Sequence, residues 1–125
     1  MAIRSILLAE DDPHIRRVSE IALRRDGFDV HLAGDGEEAL SRLEAQRFDL
    51  IILDGMMPGL DGLDVCRRIK NDPRSAHVPV IIMSARSQAS DQQAGFEAGA
   101  IGYICKPFNA LSLGAEVRRL CGKGT

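Results

Sequence analysis

The chain has no tryptophan, a single tyrosine and only three cysteines in 125 residues, and no apolar run in it exceeds five residues. Each shortage excludes something. A bilayer-crossing helix needs about 20 apolar residues in succession, so no stretch of this sequence is a membrane span. Cys66, Cys105 and Cys121 are odd in number and widely spaced, with no CxxC pair. That pattern argues against a disulfide framework or a zinc site and predicts reduced, mostly buried thiols. Neither sign of charge dominates. The net charge of −2 offers no bulk attraction to nucleic acid or to a membrane surface. Residues 1–12 place Glu10, Asp11 and Asp12 where a secretory leader needs its apolar centre. A cytoplasmic location is the resulting expectation. Repeats, linkers and low-complexity segments are also missing, so residues 1–125 read as one domain with an ordered core of about 4–122.

What is present is a regular alternation of strand and helix signals. Residues 4–10 read as a first strand. Asp12-Pro13 then reads as an N-cap followed by proline at the first helical position. Ile15, Val18, Ile21, Ala22 and Leu23 supply the apolar face of that helix, which Asp26-Gly27 ends. Strand two spans 28–33, and a second helix, capped by Asp35, runs to about Gln46. Strand three, 48–53, is apolar on both faces, as a central parallel strand should be. A Gly- and Pro-rich loop covers 54–62. The spacing predicts a third helix over 63–70, a polar connection over 71–78 and a strand over 79–83. A weaker helix over 87–98 and a short strand over 103–105 follow, and Asn109 is placed to cap a last helix ending near Leu120. Strict alternation predicts an α/β fold: a doubly wound, flavodoxin-like parallel sheet of five strands in the order 2-1-3-4-5, with five helices.

Four strand ends carry polar side chains. Ile6–Ala9 runs into Glu10, Asp11 and Asp12; Leu50–Leu53 into Asp54; Val80–Met83 into Ser84; and Tyr103–Cys105 into Lys106-Pro107. In an open parallel sheet, ligands bind outside the carboxyl ends of the strands. Adjacent strands lie about 4.8 Å apart, so acids from strands one and three can share one ion. A hard divalent cation, Mg²⁺ with Mn²⁺ as a substitute, suits an all-oxygen set. Zinc does not, because no histidine or cysteine adjoins the acids. Asp54 is placed as a carboxylate nucleophile that would form an aspartyl phosphate. Lys106 would meet a phosphate oxygen and Ser84 would supply a hydroxyl, with further N–H donors from the residues after Asp54 and Ser84. Each feature alone has a plain structural reading, and Asp12 is read as a helix cap only. Their conjunction is the signal.

Together these residues resemble the response regulator receiver domains of two-component signalling, including the chemotaxis-type single-domain form, over essentially the whole chain. The matching motifs are Leu-Leu-Ala-Glu-Asp-Asp (7–12), Leu-Asp-Gly-Met-Met-Pro-Gly-Leu-Asp-Gly (53–62), Met-Ser-Ala-Arg (83–86) and Cys-Lys-Pro-Phe (105–108). The resemblance implies that Glu10 and Asp11 are the metal-binding acids, a register set by the following Ile15-Arg16. It implies that Asp54 is the phosphorylated aspartate and that Met56 offers its main-chain carbonyl to Mg²⁺. Ser84 and Lys106 would contact the phosphoryl group, Tyr103 would be a switch aromatic, and Lys106-Pro107 would be a cis peptide. A histidine kinase or phosphotransfer protein would be the donor. The surface of the fourth helix, fifth strand and fifth helix would then change its affinity for a downstream protein. The domain would be a monomer or a weak, phosphorylation-dependent dimer, would not itself bind nucleic acid, and would catalyse only its own phosphorylation and slow dephosphorylation.

Other readings fare worse. A separate output domain on a longer parent chain is compatible with everything above. An aspartate-nucleophile phosphatase would want a second acid two residues after Asp54, where Met56 stands. A flavin-binding module would want a phosphate-cradling loop where the acids lie. A receiver degenerate in its site is disfavoured because every implicated residue is present. One departure stands out: winged-helix regulators of the family tend to carry acids just before the switch aromatic, and here the stretch is Ala100-Ile101-Gly102-Tyr103. With the polar 71–78 connection, this suggests a receiver outside that class, with Ile101 either an apolar contact or core. His14, His31 and His77 are scattered and read as solvated or capping residues.

Overall fold

A computed structural model describes residues 3–57, 59 and 61–122. Five strands alternate with five helices: β1 (Ser5–Ala9), α1 (Pro13–Arg25), β2 (Asp29–Ala33), α2 (Gly36–Ala45), β3 (Leu50–Asp54), α3 (Gly62–Asn71), β4 (Val80–Ser84), α4 (Ala89–Glu97), β5 (Gly102–Cys105) and α5 (Leu113–Gly122). The strands form one parallel sheet in the order β2-β1-β3-β4-β5, as the sequence predicts. Both faces are covered, and the period-two alternation of the strands divides the core. Leu7, Ala9, Ile51, Leu53, Val80 and Ile82 pack on the side of α2 and α3. Ile6, Leu8, Leu50, Ile52, Ile81, Met83 and Ile104 pack on the side of α1 and α5.

Local chemistry sets the helix ends. Asp12 caps α1 as expected, accepting from the amides of His14 (2.8 Å) and Ile15 (3.2 Å). Asp35 and Asp61 cap α2 and α3 in the same way. Arg118 donates to the Asp26 carbonyl, and its guanidinium lies 4.5 Å from the Phe28 ring centre, tying α5 to the end of α1.

Two expectations about the helices fail. Asn109 does not cap α5: its side chain accepts from the amide of Leu111 (2.9 Å) and its carbonyl from the amide of Ser112 (3.1 Å). The side chain thus closes a turn on itself, and α5 begins only at Leu113. Leu111, which the helix expected from Asn109 would contain, is 78% exposed in consequence. Ile21 is likewise 51% exposed. It stands two residues from both Ser19 and Leu23, about 200° around the helix from the buried stripe. Of the end expected to fray, 122–125, Gly122 closes α5 and 123–125 lie outside the described residues.

Ser19 is fully buried in α1, and its hydroxyl has no hydrogen-bond partner among the described residues. A buried hydroxyl without a partner opposes folding, and alanine is also the better helix former. Ser19→Ala should therefore raise stability by about 1 kcal/mol in a denaturant titration. An unchanged or lowered midpoint would show that the hydroxyl has a partner.

Candidate functional site

The strand ends bring the expected residues to one rim. Continuing the alternation, Glu10, Asp54 and Lys106 fall in phase with the α1/α5 face. Ser84 falls in phase with the opposite face, the one to which Tyr103 packs. Glu10 is fully buried and Asp54 is 3% exposed. Ligand oxygens of Glu10, Asp11 and Asp54 all lie within 4.8 Å of one another. The Lys106 ammonium sits between two of these acids, 2.7 Å from Glu10 Oε1 and 3.3 Å from Asp54 Oδ1. The Asp12 amide donates to Glu10 Oε2 (3.2 Å) and the Arg16 guanidinium to the Glu10 carbonyl (2.9 Å). Asp54 Oδ1 accepts from the Met56 amide at 3.0 Å.

Two buried acids, a partly buried third and one lysine leave negative charge in excess. Burial, then the neighbouring Asp54 carboxylate, push Glu10 up to about 7 against the pull of Lys106. Asp11 is raised for the same two reasons. Burial alone would raise Asp54 too, but the acid neighbour, the Met56 amide and Lys106 outweigh it, and its carboxyl is held below the usual range. Burial would lower Lys106, yet its bonds to Glu10 and Asp54 win and raise it. The site therefore favours the ionised form of Asp54 and the protonated forms of Glu10 and Asp11. A hard dication fits this donor set, since all the donors are oxygens and the charge to be offset is net negative.

The hydroxyl side is organised separately. Ser84 Oγ accepts from the Arg86 amide (3.1 Å), and the Tyr103 hydroxyl donates to the Arg86 carbonyl (2.5 Å). The Lys106-Pro107 peptide is cis. Of the two N–H donors expected after Asp54 and Ser84, that of Gly55 is unavailable, because it donates to the Met83 carbonyl (3.0 Å). The amide aimed at Asp54 belongs to Met56.

Sequence reasoning missed the glycines that let these groups approach. A Cβ on Gly55 would lie 2.9 Å from Ser84 Oγ. One on Gly62 would lie 2.4 Å from the Asp54 carbonyl oxygen. Both residues stand in the 53–62 motif, so the signal was there, read only as loop composition. The histidines stay outside the site: His14 is in the first turn of α1, while His31 lies 3.0 Å from the Asp29 carboxylate and edge-on to Phe48. No disulfide forms among the cysteines.

The response regulator receiver domain model matches residues 6–118. The chain belongs to this family. By sequence it is 43% identical over 120 residues to the transcriptional regulatory protein AfsQ1 of Streptomyces coelicolor, which covers 96% of this chain and 52% of the relative. It is 45% identical to CseB of the same organism (90% and 47%) and 41% identical to the DNA-binding response regulator MtrA of Mycolicibacterium smegmatis (90% and 48%). The receiver thus spans about half the length of the curated relatives it matches. Solved structures match along their whole length. A putative response regulator from Chloroflexus aurantiacus superposes with a TM-score of 0.89 at 33% identity, covering 97% of this chain and 99% of the other. The chemotaxis response regulator CheY4 of Vibrio cholerae gives 0.88 at 28% identity (95% and 99%). The chain is accordingly a phosphoacceptor module of two-component signalling. None of the described helices is long and apolar enough to cross a membrane.

Proposed function

We propose that Asp54 takes a phosphoryl group from a histidine kinase or phosphotransfer protein, with Mg²⁺ held by Glu10, Asp11, Asp54 and the Met56 carbonyl. The observation that carries this reading is the buried Asp54 carboxylate set between a lysine and two further acids within 4.8 Å. Once bound, the cation supplies charge neutralisation for the incoming phosphoryl oxygens. Lys106 offers its ammonium to one of those oxygens while staying paired to Glu10. Ser84, on the neighbouring strand, offers its hydroxyl from the other face. Its movement toward the phosphoryl group would draw on the Arg86 segment, to which Tyr103 is bonded. The surface of α4, β5 and α5 would then favour a different partner, a population shift between two arrangements. Within a longer regulator, that partner surface would govern a separate output domain. The receiver alone would act in the cytoplasm without touching nucleic acid, as a monomer or a weak dimer when phosphorylated.

The test is direct. Protein incubated with acetyl phosphate and Mg²⁺ should gain the mass of one phosphoryl group, and a chelator should prevent the gain. Absence of any adduct would overturn the reading, and turnover with no accumulated adduct would favour a phosphatase.

Proton linkage gives a second check. Cation binding must displace the proton held at Glu10, so affinity for Mg²⁺ should fall about tenfold for each pH unit below about 7. Calorimetry at about pH 6 and about pH 8 would read this as proton release at the lower pH only. The stability sign is opposite to that of an ordinary carboxylate. Glu10 holds its extra proton in the folded state between 4.5 and about 7. Its contribution to metal-free stability therefore declines as the pH rises through that window, and Mg²⁺ should restore it. A pH-independent affinity would remove Glu10 from the ligand set.

A further inference from the structure

Gly95 lies in the middle of α4, buried, where every other residue but proline would make the better helix. Its backbone is ordinary helix, so no left-handed turn requires glycine. The space beside it is what requires it. A Cβ at this position would come 3.0 Å from Tyr103 Cδ2 and 3.3 Å from both Tyr103 Cε2 and Ile82 Cδ1. Ile82 is buried and pairs in register with Tyr103 across β4 and β5. The tyrosine ring thus rests on the bare backbone of α4, its edge in the gap a side chain would fill. From there its hydroxyl reaches the Arg86 carbonyl, two residues beyond Ser84. Little spare room remains: the adjoining cavity, bounded by Ser84, Ala94 and Tyr103, measures only about 30 Å³.

We infer that Gly95 is the berth of Tyr103, a positioning residue that admits the ring to the space beside Ser84 and so couples the phosphoryl site to the β5 surface. This rests on the proposed roles of Asp54, Ser84 and Tyr103 and adds the residue on which their communication depends. Gly95→Ala fills the berth. Ile82 is hemmed in by the core and cannot yield, whereas Tyr103 stands on the half-covered side and can. The ring swings outward and its bond to Arg86 is lost. The Asp54 site, one face away, keeps its geometry.

The composition provides the instrument. With no tryptophan and one tyrosine, the near-ultraviolet fluorescence of the full chain comes from Tyr103 alone. The experiment compares acrylamide quenching of that signal in wild type, Gly95→Ala and Gly95→Ser, before and after treatment with acetyl phosphate and Mg²⁺, with intact mass measured on the same samples. Overpacking that expels the ring should roughly double the quenching constant in both variants, with and without phosphoryl group. Adduct formation should stay within about twofold of wild type, since no group at the phosphoryl site is altered. Quenching no greater than wild type in the Ala variant would overturn the inference. So would loss of the adduct from variants that still unfold cooperatively, or loss of cooperative unfolding in both variants, which would make Gly95 a folding requirement instead. Failure of wild type itself to form an adduct would strike the proposed function, and the quenching comparison would still decide whether residue 95 seats the ring.

Discussion

Asp54→Asn should accumulate no phosphoryl group under conditions that fully modify wild type, and it should melt at a higher temperature when metal is absent. The first effect follows from nucleophilicity. An amide oxygen carries no charge to donate and would leave no stable acyl phosphate. The second follows from electrostatics. Asp54 is among the causes that raise both Glu10 and Asp11. Above about pH 7, where Glu10 has also shed its proton, the amide oxygen can still accept from the Met56 amide and from Lys106, so removing the charge relieves repulsion while losing little; below it, protonated Glu10 favours the Asp54 carboxylate and the gain vanishes. Relief equivalent to one pKa unit is about 1.4 kcal/mol, or a rise of roughly 3 to 6 °C in a domain of this size. Intact mass and a calorimetric scan without metal check the two halves. An adduct on the Asn variant would place the acceptor elsewhere. A lowered melting temperature would mean that Asp54 is held mainly by attraction to Lys106, not strained by its acid neighbours.

Gly62→Ala should disable the site without touching any group that bears chemistry. The added methyl would meet the Asp54 carbonyl oxygen at 2.4 Å, Gly55 Cα at 2.8 Å and the Asp54 carbonyl carbon at 3.0 Å. All three are backbone atoms and no rotamer change can move them. The start of α3 would have to lift, although the Asp61 carboxylate holds its first turn through the Asp64 amide at 3.0 Å. Overpacking of this kind costs about 3 kcal/mol, or roughly 6 to 12 °C. A displacement of about 1 Å at Asp54 would also slow phosphoryl uptake on the order of a hundredfold. Gly59→Ala makes the comparison. Gly59 has a left-handed φ of 80° but nothing within 4 Å of its would-be Cβ. That change should cost about 1 to 2 kcal/mol of backbone strain and leave uptake nearly intact. Equal phosphorylation rates in wild type and Gly62→Ala would refute the contact.

Much of this molecule could be read before its fold was seen, for a reason visible in β3. Leu50–Leu53 is apolar at every position because both its faces are covered, and the first polar residue after it must lie at the rim. The same logic located Glu10, Ser84 and Lys106. Caps were legible where one side chain decides them, as at Asp12 and Asp35, although Asp61 was read only as loop. The errors share a cause: they concern choices between local alternatives of similar energy. Asn109 can cap a helix or close a turn, and tertiary packing makes the choice: Leu113, where the helix begins, is buried in the cluster that holds Ala22, Leu23 and Ile104. Ile21 fits an apolar pattern yet sits on the wrong side of it. The steric glycines were missed for a different reason. Gly55, Gly62 and Gly95 owe their identity to atoms of neighbouring elements, and a glycine seen in a string does not say which atom it is making way for.

The sheet at the rim is a wall one strand thick with different business on its two sides. Glu10, Asp54 and Lys106 keep the phase of one face, while Ser84 and Tyr103 keep the phase of the other. On the proposed roles, charge would arrive in one compartment and shape would be altered in its neighbour, with the single hydroxyl of Ser84 at the doorway between them.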